Sequence, residues 1–597
     1  MYRFQILTQQ LEVELGPDTA DLSIRIGLHS GPVTAGVLRG ERARFQLFGD
    51  TMNTSSRMES TCMPGKIQVS EETADLLKSS GKGHWMRERH DLAFIKGKGK
   101  LRTFWLDMKG EGPRSASSKN GTSEKSSERD NTASNASDGK FIKTKELAKK
   151  EEAALRQKEE RLIKWNTEIL IKILMEIRAR PTEKSKILSR KDMRALEQGV
   201  LQQNGKLVLD EVEDIITLPA FRSQKADEIN REDLDSTVKE QLRIFIATIA
   251  KLYRNNPFHN FEHASHVTMS VVKLLSRVVA PPLQTKDESE ADRMLHDHSY
   301  GITSDPLTQF ACCLSGLIHD VDHTGVPNSQ LVKEKQQVAI AYKNKSVAEQ
   351  NSVDLAWSLL MEDQFSDLRG AIYKTKAEFK RFRSLIVNSV MATDIMDKAL
   401  GAQRKERWNA AFLESARDHE ITATTVNRKA TIVIEHLIQA SDVAHTMQHW
   451  QIYQKWNRRL FQELYNAYKQ GRAEKDPSEF WYKGEIGFLE YYIIPLAKKL
   501  KDCGVFGVSS DEYLNYALKN KQEWETKGMQ IVAEFKEAAI AEYETTYEIV
   551  PSQEEQVQIP GLHEVKSVGG SVDSASFDDA FEEEGSEVEE VVLEESP

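Results

Sequence analysis

The spacing of apolar residues changes along the chain and separates an N-terminal α/β block from a long helical region. Up to residue 108, short runs of alternating apolar and polar residues predict strands, and the stretch after Asp50 has helical spacing. The predicted strands are Ser23–Gly27, Lys66–Ser70 and Thr103–Leu106. Glycine-containing turns separate these elements, so residues 1–108 are interpreted as one α/β block.

From residue 187 to residue 550 the apolar spacing is helical, which predicts an all-α domain with a polar loop at 286–303. A long helix is predicted before it, over residues 140–180. Apolar residues recur every seventh position in that helix, at Leu155, Leu162 and Ile169. This spacing fits either a short coiled-coil seam or an amphipathic helix that docks on the following domain.

Two segments are too polar to form a core. Residues 109–139 are rich in Ser, Asn, Lys and Gly and are predicted to be a flexible, disordered linker. Residues 551–597 contain 14 acidic residues against one lysine and are predicted to be a disordered acidic tail. That tail accounts for the net charge of −11, because the remaining residues together have a net charge close to +2. The body of the chain therefore gives no electrostatic evidence for binding nucleic acid.

The chain has four scattered cysteines, too few for a disulfide framework, which favours a reducing, cytoplasmic setting. No apolar run is long enough for a transmembrane helix, and the residues after Met1 do not resemble a signal peptide. Attachment to the cytoplasmic side of a membrane is expected only if a longer chain carries an upstream anchor.

Three separate segments carry candidate metal ligands. His259 and His263 stand four residues apart, which places them on one face of a helix. A second group follows directly after an apolar run and consists of His319, Asp320, Asp322 and His323. Charged groups beside a buried helix are unusual unless they are paired or bind metal. Asp442 follows a third apolar run, so the three segments together indicate a metal site.

These segments resemble the class I cyclic-nucleotide phosphodiesterases, which belong to the wider metal-dependent His-Asp hydrolases. The matching pattern is His259-Asn260-x-x-His263, then His319-Asp320-x-x-His323-x-Gly325-x-x-Asn328, then the distant Asp442. The resemblance covers roughly residues 187–550. It implies an all-helical catalytic domain that hydrolyses cyclic AMP, cyclic GMP or both to the 5′-nucleoside monophosphate.

The resemblance also implies two divalent metal ions and a role for each matching residue. The first ion would be held by His263, His319, Asp320 and Asp442, with Asp320 bridging to the second. Imidazole and carboxylate ligands suit Zn²⁺, and a harder ion such as Mg²⁺ or Mn²⁺ suits the second position. His259 would be the proton donor to the departing 3′ oxygen, and His323 would contact the attacking hydroxide or the phosphate.

Further residues are implied around this centre. Asn260 and Glu349 would orient the ligands, His266 stands where the family often has aspartate, and Asp394 matches a pocket segment. For the purine, Phe488 would stack on the base, whereas Glu485 replaces the usual glutamine. An ionised carboxylate only accepts hydrogen bonds, and a protonated one would also donate, so the preferred base stays open.

The N-terminal block resembles the class III adenylyl and guanylyl cyclases. Asn53 and Arg57 match the residues that orient the ribose and stabilise the reacting phosphate, and Lys96 matches a triphosphate-binding lysine. Gln46 occupies the base-reading position, where cyclases use Cys or Asp. The two metal-binding aspartates that should precede Gly27 have no counterpart, so residues 1–108 are expected to be an incomplete cyclase domain, the C-terminal half, without activity alone.

Two alternatives remain beside a phosphodiesterase fused behind a cyclase segment. One is a bifunctional enzyme, in a longer or dimeric form, that makes and destroys the same messenger. The other is a regulatory protein that binds nucleotide without catalysis. A homodimer could form through the cyclase segment or through the helix at 140–180.

Overall fold

The protein folds into two compact units, Met1–Leu155 and Arg156–Pro597, and each is described by itself. The computed structural model describes residues 24–38, 44–48, 50–63, 65–89, 93–95, 99–106, 136–180, 186–201, 207–221, 233–278, 288–414 and 422–547. The tail at 551–597 and most of the linker predicted at 109–139 lie outside these ranges.

The first unit contains a mixed sheet with helices packed on it. Its strands are β1 Ile26–Leu28, β2 Thr34–Leu38, β3 Arg44–Phe48, β4 Ile67–Ser70, β5 Met86–Glu88, β6 Ala93–Ile95, β7 Gly99–Leu101 and β8 Thr103–Leu106. Its helices are α1 Asp50–Ser60, α2 Glu71–Ser79 and the 3-10 turn Gly83–Trp85. The main sheet has the order β1-β4-β8-β5, in which only β1 and β4 are parallel.

Two antiparallel hairpins, β2–β3 and β6–β7, complete the strands described in this unit. A small core of Val69, Ala74 and Phe104 lies under the main sheet. Helix α1 crosses β1 so closely that a Cβ on Gly27 would lie 2.0 Å from the backbone nitrogen of Glu59. Glycine is therefore required at position 27, because any side chain there would push α1 off the sheet.

The described secondary-structure elements of the second unit are all helices. The long helix α3 runs over Ala136–Ala179, so the border between the units falls within it. The following helices are α4 Arg190–Leu201, α5 Ser236–Leu252, α6 Phe261–Ser276, α7 Glu288–His298, α8 Pro306–Ile318, α9 Asn328–Lys333, α10 Gln337–Ala341, α11 Val347–Leu360, α12 Ser366–Ile372, α13 Lys376–Met391, α14 Lys398–Trp408, α15 Ala423–Asp442, α16 Trp450–Lys469, α17 Trp481–Gly487, α18 Ile494–Asp502 and α19 Val508–Tyr547.

Two π-helical segments, Asn409–Glu414 and Phe488–Ile493, extend α14 and α17. Short 3-10 turns lie at Val208–Glu211, Asp363–Phe365, Ala444–Met447 and Pro477–Glu479. The unit has one large apolar core, in which α6, α8, α13 and α15 pack together around fully buried residues such as Val271, Leu314 and Ile434. Ends of these central helices carry the polar groups described below.

Helix α3 contributes to this core from its second half. Leu162 and Ile169 are buried there, at 2% and 8% exposure, whereas Leu155 is 62% exposed. This arrangement corresponds to the amphipathic helix that docks on the following domain, one of the two alternatives for the seven-residue spacing. The compact unit thus begins at Arg156, ahead of residue 187, where the helical domain was predicted to start.

The predicted fold class, an all-α domain behind an α/β segment, is confirmed. The loop predicted at 286–303 is wrong, because α7 occupies Glu288–His298. All four cysteines are buried and free. Among the described helices, none has a stretch apolar and long enough to cross a bilayer.

Candidate functional site

Four predicted metal ligands from three helices meet at one buried point. His263 lies in the first turn of α6, His319 and Asp320 directly follow α8, and Asp442 ends α15. The Nε2 atom of His319 is 3.0 Å from Oδ2 of Asp320 and 3.4 Å from Oδ1 of Asp442. The Nε2 atom of His263 is 3.1 Å from the same Asp442 oxygen and 3.6 Å from Asp320 Oδ2.

This cluster fits a cation. The Nδ1 atom of His319 is 3.0 Å from the carbonyl oxygen of Gly316 and donates its proton there, so a neutral His319 would keep a lone pair on Nε2 for a cation. That nitrogen faces the carboxylate oxygens of Asp320 and Asp442. Burial alone would lower the pKa of His319, but without a cation these two carboxylates raise it well above its ordinary value. The ligand atoms of His263, His319 and Asp442 lie within 4.8 Å of one another, and a positive ion between them would satisfy all three.

Electrostatics in the cluster favour the same conclusion. Burial would raise the pKa of both carboxyl groups, but the adjacent His319 holds the pKa of Asp320 and of Asp442 well below the ordinary value. Burial lowers the pKa of His263, more than Asp442 beside it raises it. The site therefore keeps its carboxylates ionised, as ligands must be.

A second group lies beside the first and consists of His259, His323 and Glu463. The Nδ1 atom of His259 forms a short hydrogen bond with Oε1 of Glu463, a residue of α16. The other carboxylate oxygen, Oε2, accepts the backbone N–H groups of Phe258 and His259, both at 2.9 Å. The rings of His259 and His323 are 3.8 Å apart, centroid to centroid.

The two histidines of this group differ in charge. Burial alone would lower the pKa of His259, but the Glu463 carboxylate raises it to about 9. The pKa of His323 falls to about 4, because burial and the neighbouring His259 both oppose a second positive charge. Since Nδ1 of His323 accepts the backbone N–H of Gly325 at 3.2 Å, its neutral ring carries the proton on Nε2.

Two asparagines hold the loop that carries His259. Asn260 caps α6: its Oδ1 accepts the backbone N–H of His263 at 3.0 Å, and its Nδ2 donates to the carbonyl oxygen of Asn256 at 2.8 Å. Asn256 donates from Nδ2 to the carbonyl oxygens of His259, at 3.0 Å, and His323, at 2.7 Å. The asparagines therefore tie the His259 loop to both the α6 and the His323 segments.

Glu349 and Asp394 lie together near the metal-ligand cluster. Burial and then the charge of Asp394 raise the pKa of Glu349 to about 8. Asn328 donates to Oε2 of Glu349 at 2.9 Å. Asp394 is buried and its Oδ1 accepts the backbone N–H groups of Met396 and Asp397, so it also shapes a turn.

His266 lies one turn beyond His263 on α6. Its ring centroid is 5.0 Å from that of Trp456, and its Nε2 is 3.9 Å from Oε1 of Glu262. His266 thus lies beside Trp456 and Glu262, which are near His263, and not within the metal-ligand cluster.

The two predicted purine residues lie at α17. Glu485 is buried, accepts a short hydrogen bond from the Tyr453 hydroxyl, and is also hydrogen-bonded to Asn457. Burial raises its pKa to about 7 against the effect of these two donors. Phe488 is half-buried, and its ring is stacked on Tyr492 at 5.4 Å.

The cyclase-like residues are only partly described. Asn53 is exposed and Arg57 half-buried on α1, one turn apart. Gln46 pairs with Gly36 in the β2–β3 hairpin, and its side chain lies outside the described part, as does Lys96.

Sequence reasoning missed Glu463, Asn256 and Tyr453. Glu463 could have been identified from the sequence, because it falls on the apolar face of α16. That face also carries Tyr453, Trp456 and Leu460, at spacings of three and four residues. An acidic residue on such a face needs a buried partner. The partner, His259, is about two hundred residues away in sequence, so it could not be identified from spacing.

Comparison with known families divides the chain in the same way. Residues 258–505 match the family described as 3′5′-cyclic nucleotide phosphodiesterase, and residues 3–108 match the adenylate and guanylate cyclase catalytic domain.

Individual relatives share the first of these matches. A probable 3′,5′-cyclic-AMP phosphodiesterase of Caenorhabditis elegans is 26% identical over 269 residues, which is 43% of this chain and 36% of that protein. A cGMP-specific 3′,5′-cGMP phosphodiesterase of Dictyostelium discoideum is 21% identical over 298 residues, 49% of this chain and 56% of that protein. The chain therefore spans well under two thirds of either relative.

A solved structure is also similar, the phosphodiesterase domain of a rhodopsin phosphodiesterase from Salpingoeca rosetta. It is 21% identical, with a TM-score of 0.38, and the match covers 60% of this chain and 92% of that domain.

Proposed function

Because residues 258–505 form a domain of the 3′,5′-cyclic nucleotide phosphodiesterase family behind a segment of the cyclase catalytic family, we propose that this chain hydrolyses 3′,5′-cyclic nucleotides to 5′-nucleoside monophosphates. The observation that carries the proposal is the pair of adjacent clusters, one suited to a cation and one suited to a proton donor. Phosphodiester hydrolysis needs both, since charge develops on the phosphate while the 3′ oxygen leaves.

Two divalent ions, Zn²⁺ and Mg²⁺ or Mn²⁺, are proposed as cofactors. His263, His319, Asp320 and Asp442 would hold the first, and Asp320 would contribute to the second. When bound, such ions supply Lewis acidity and lower the pKa of water. The support in this chain is the set of imidazole nitrogens and carboxylate oxygens that converge at separations of 3.0–3.6 Å.

The proton would come from His259. Glu463 accepts from Nδ1, so the opposite ring nitrogen, Nε2, is left to donate to the departing 3′ oxygen. The raised pKa keeps His259 protonated at neutral pH, and the lowered pKa of His323 keeps that ring neutral. Neutral His323 would then offer its Nε2–H group to a phosphate oxygen.

The base would lie between Phe488 and Glu485. A half-buried aromatic ring suits stacking on any purine, and the relatives named above include one cAMP and one cGMP enzyme. The buried carboxyl of Glu485 would then read the base edge, as an acceptor when ionised and as a donor when protonated.

The test is hydrolysis of cyclic AMP and cyclic GMP by the purified full chain, with metal content measured on the same sample. We expect about two divalent ions per chain and 5′-monophosphate as product. Asp320→Ala should lose both metal and hydrolysis, whereas His259→Ala should keep the metal and lose about 10²–10⁴-fold in kcat. A metal-loaded wild-type chain that hydrolyses neither nucleotide would leave a nucleotide-binding regulatory protein instead.

A further inference from the structure

Helix α3, which crosses the border between the two units, makes polar contacts with the helix that carries the metal ligand His263. The Nζ atom of Lys158 is 2.6 Å from Oε1 of Glu262, the residue directly before His263. Deeper in the unit, Nδ2 of Asn166 donates to Oγ of Ser265 at 3.0 Å. The two contacts flank His263 on α6.

The Lys158–Glu262 pair is shielded from water. The Lys158 and Glu262 side chains are 24% and 13% exposed, so the pair is worth more than an exposed surface ion pair. The other oxygen of Glu262 forms an ion pair with Arg459 of α16, with 3.1 Å between Oε2 and Nη1. One carboxylate thus links α3, α6 and α16.

That carboxylate is connected to the ring of His263. The guanidinium of Arg459 lies 4.7 Å from the centroid of Trp456, and the Trp456 ring centroid is 5.8 Å from that of His263. Moving Glu262 would therefore shift both the backbone of α6 and the aromatic wall against which His263 packs.

The Asn166 contact fixes the first turn of α6 from inside. Asn166 is fully buried, and Ser265, which accepts from it, donates in turn to the carbonyl oxygen of Phe261 at 2.8 Å. A buried hydrogen bond of this kind sets the rotation of α6 relative to α3.

We propose that Lys158 and Asn166 of α3 are positioning residues for the metal ligand His263, acting through Glu262 and Ser265 of α6. The inference rests on the proposed function insofar as the metal site is the hydrolytic one. Residues that hydrogen-bond a metal ligand directly change metal affinity about 10–100-fold when mutated. A contact one residue further away should have a smaller effect, about threefold to tenfold.

The test is a Zn²⁺ titration of the metal-stripped full chain, with free Zn²⁺ measured by a competing chromophoric chelator. Lys158→Met should weaken binding about threefold to tenfold. Lys158→Arg, which keeps the charge, should restore most of the affinity. The matched control is Lys164→Met on the same helix, because Lys164 is 77% exposed and pairs only weakly with Glu168 of its own helix; it should bind as wild type does.

Ser265→Ala provides a second variant, in which Asn166 keeps its other acceptor, the carbonyl oxygen of Leu162 at 2.9 Å. It should also weaken Zn²⁺ binding, while the unfolding temperature of the metal-free chain stays near that of wild type. Wild-type affinity in both Lys158→Met and Ser265→Ala, or an equal loss in Lys164→Met, would overturn the inference. Because the titration needs no turnover, a wild-type chain that binds Zn²⁺ but hydrolyses nothing would count against the proposed function alone.

Discussion

At the scale of single residues, Glu463 determines the chemistry of His259. Its carboxylate accepts the backbone N–H groups of Phe258 and His259 as well as the imidazole of His259. Burial alone would raise the pKa of this carboxyl, but the nearby His259 lowers it to about 2. Glu463 is therefore a fixed anion that both orients His259 and favours its protonated form.

Glu463→Gln should lower kcat about 10²-fold without loss of metal, because an amide keeps the shape but removes the charge that holds the proton on His259. Initial rates and metal analysis of the same preparation check this. The control is Glu479→Gln, an exposed residue in the 3-10 turn after α16, which should leave kcat unchanged. An unchanged kcat in Glu463→Gln would remove Glu463 from the catalytic machinery.

Glu485 should make base preference depend on pH. Burial raises its pKa to about 7, so the group is mostly neutral and can donate below pH 7, and is mostly an ionised acceptor above it. The ratio of kcat/KM for cyclic GMP to that for cyclic AMP is therefore expected to change between about pH 6 and pH 8.

Glu485→Gln supplies the control, because an amide does not titrate. In this variant the ratio should differ from wild type and stay constant over the same pH interval. If the wild-type ratio is equally constant, and the variant has unaltered kinetics with both substrates, Glu485 does not contact the purine.

The site residues that could be predicted from the sequence are those that adjoin a recognisable apolar helical segment. His263, His319, Asp320 and Asp442 each adjoin an apolar helix, and the structure brings all four together. The residues that orient the site are not distinguished by such a position. Asn256 acts through backbone carbonyls of His259 and His323, and Tyr453 through a carboxyl on another helix, so both depend on tertiary contacts.

At the scale of elements, helix α7 shows why hydropathy alone misplaced one segment. Its sequence, Glu288–His298, has few apolar residues and was interpreted as part of a loop. The signal it does carry is electrostatic: acidic residues lie near its start, and His296 and His298 lie in its last turn. Acidic residues near the start of a helix favour it through the helix dipole, whereas burial lowers the pKa of His296 and leaves that ring without a charge at neutral pH.

Helix α3 gives a stability prediction. Leu162→Ala should destabilise the helical unit by about 2–5 kcal/mol, because the side chain is 2% exposed within the large core. Leu155→Ala, seven residues earlier and 62% exposed, should change stability by less than about 0.5 kcal/mol.

Chemical denaturation of the two variants distinguishes the docking arrangement from a coiled-coil seam. A seam would use both leucines, so similar losses of stability, dependent on protein concentration, would favour the coiled coil.

At the scale of the whole molecule, the chain joins a segment related to enzymes that make cyclic nucleotides to a domain related to enzymes that destroy them. The described part of the first unit has the sheet β1-β4-β8-β5 and helix α1 with Asn53 and Arg57. An arginine can stabilise a reacting phosphate, but metal-binding carboxylates usually provide most of the charge stabilisation.

We predict that the purified chain forms no cyclic nucleotide from ATP or GTP in the presence of Mn²⁺. Arg57→Ala should give the same result as the unmutated cyclase segment. The measurement must block hydrolysis, so it is best made in an Asp320→Ala background with detection of the cyclic product. Cyclic nucleotide that appears and is abolished by Arg57→Ala would show instead that the N-terminal segment has cyclase activity.

The border between the units falls inside a continuous helix, and this has a consequence for recombination. The contacts of α3 with the rest of the helical unit include those of Lys158 and Asn166, and both residues follow Leu155. A junction at Leu155 would retain these contacts, whatever is placed upstream. A module that ends in a helix could therefore be joined there in phase, at about 100° per residue, without removing a contact between α3 and the rest of the helical unit.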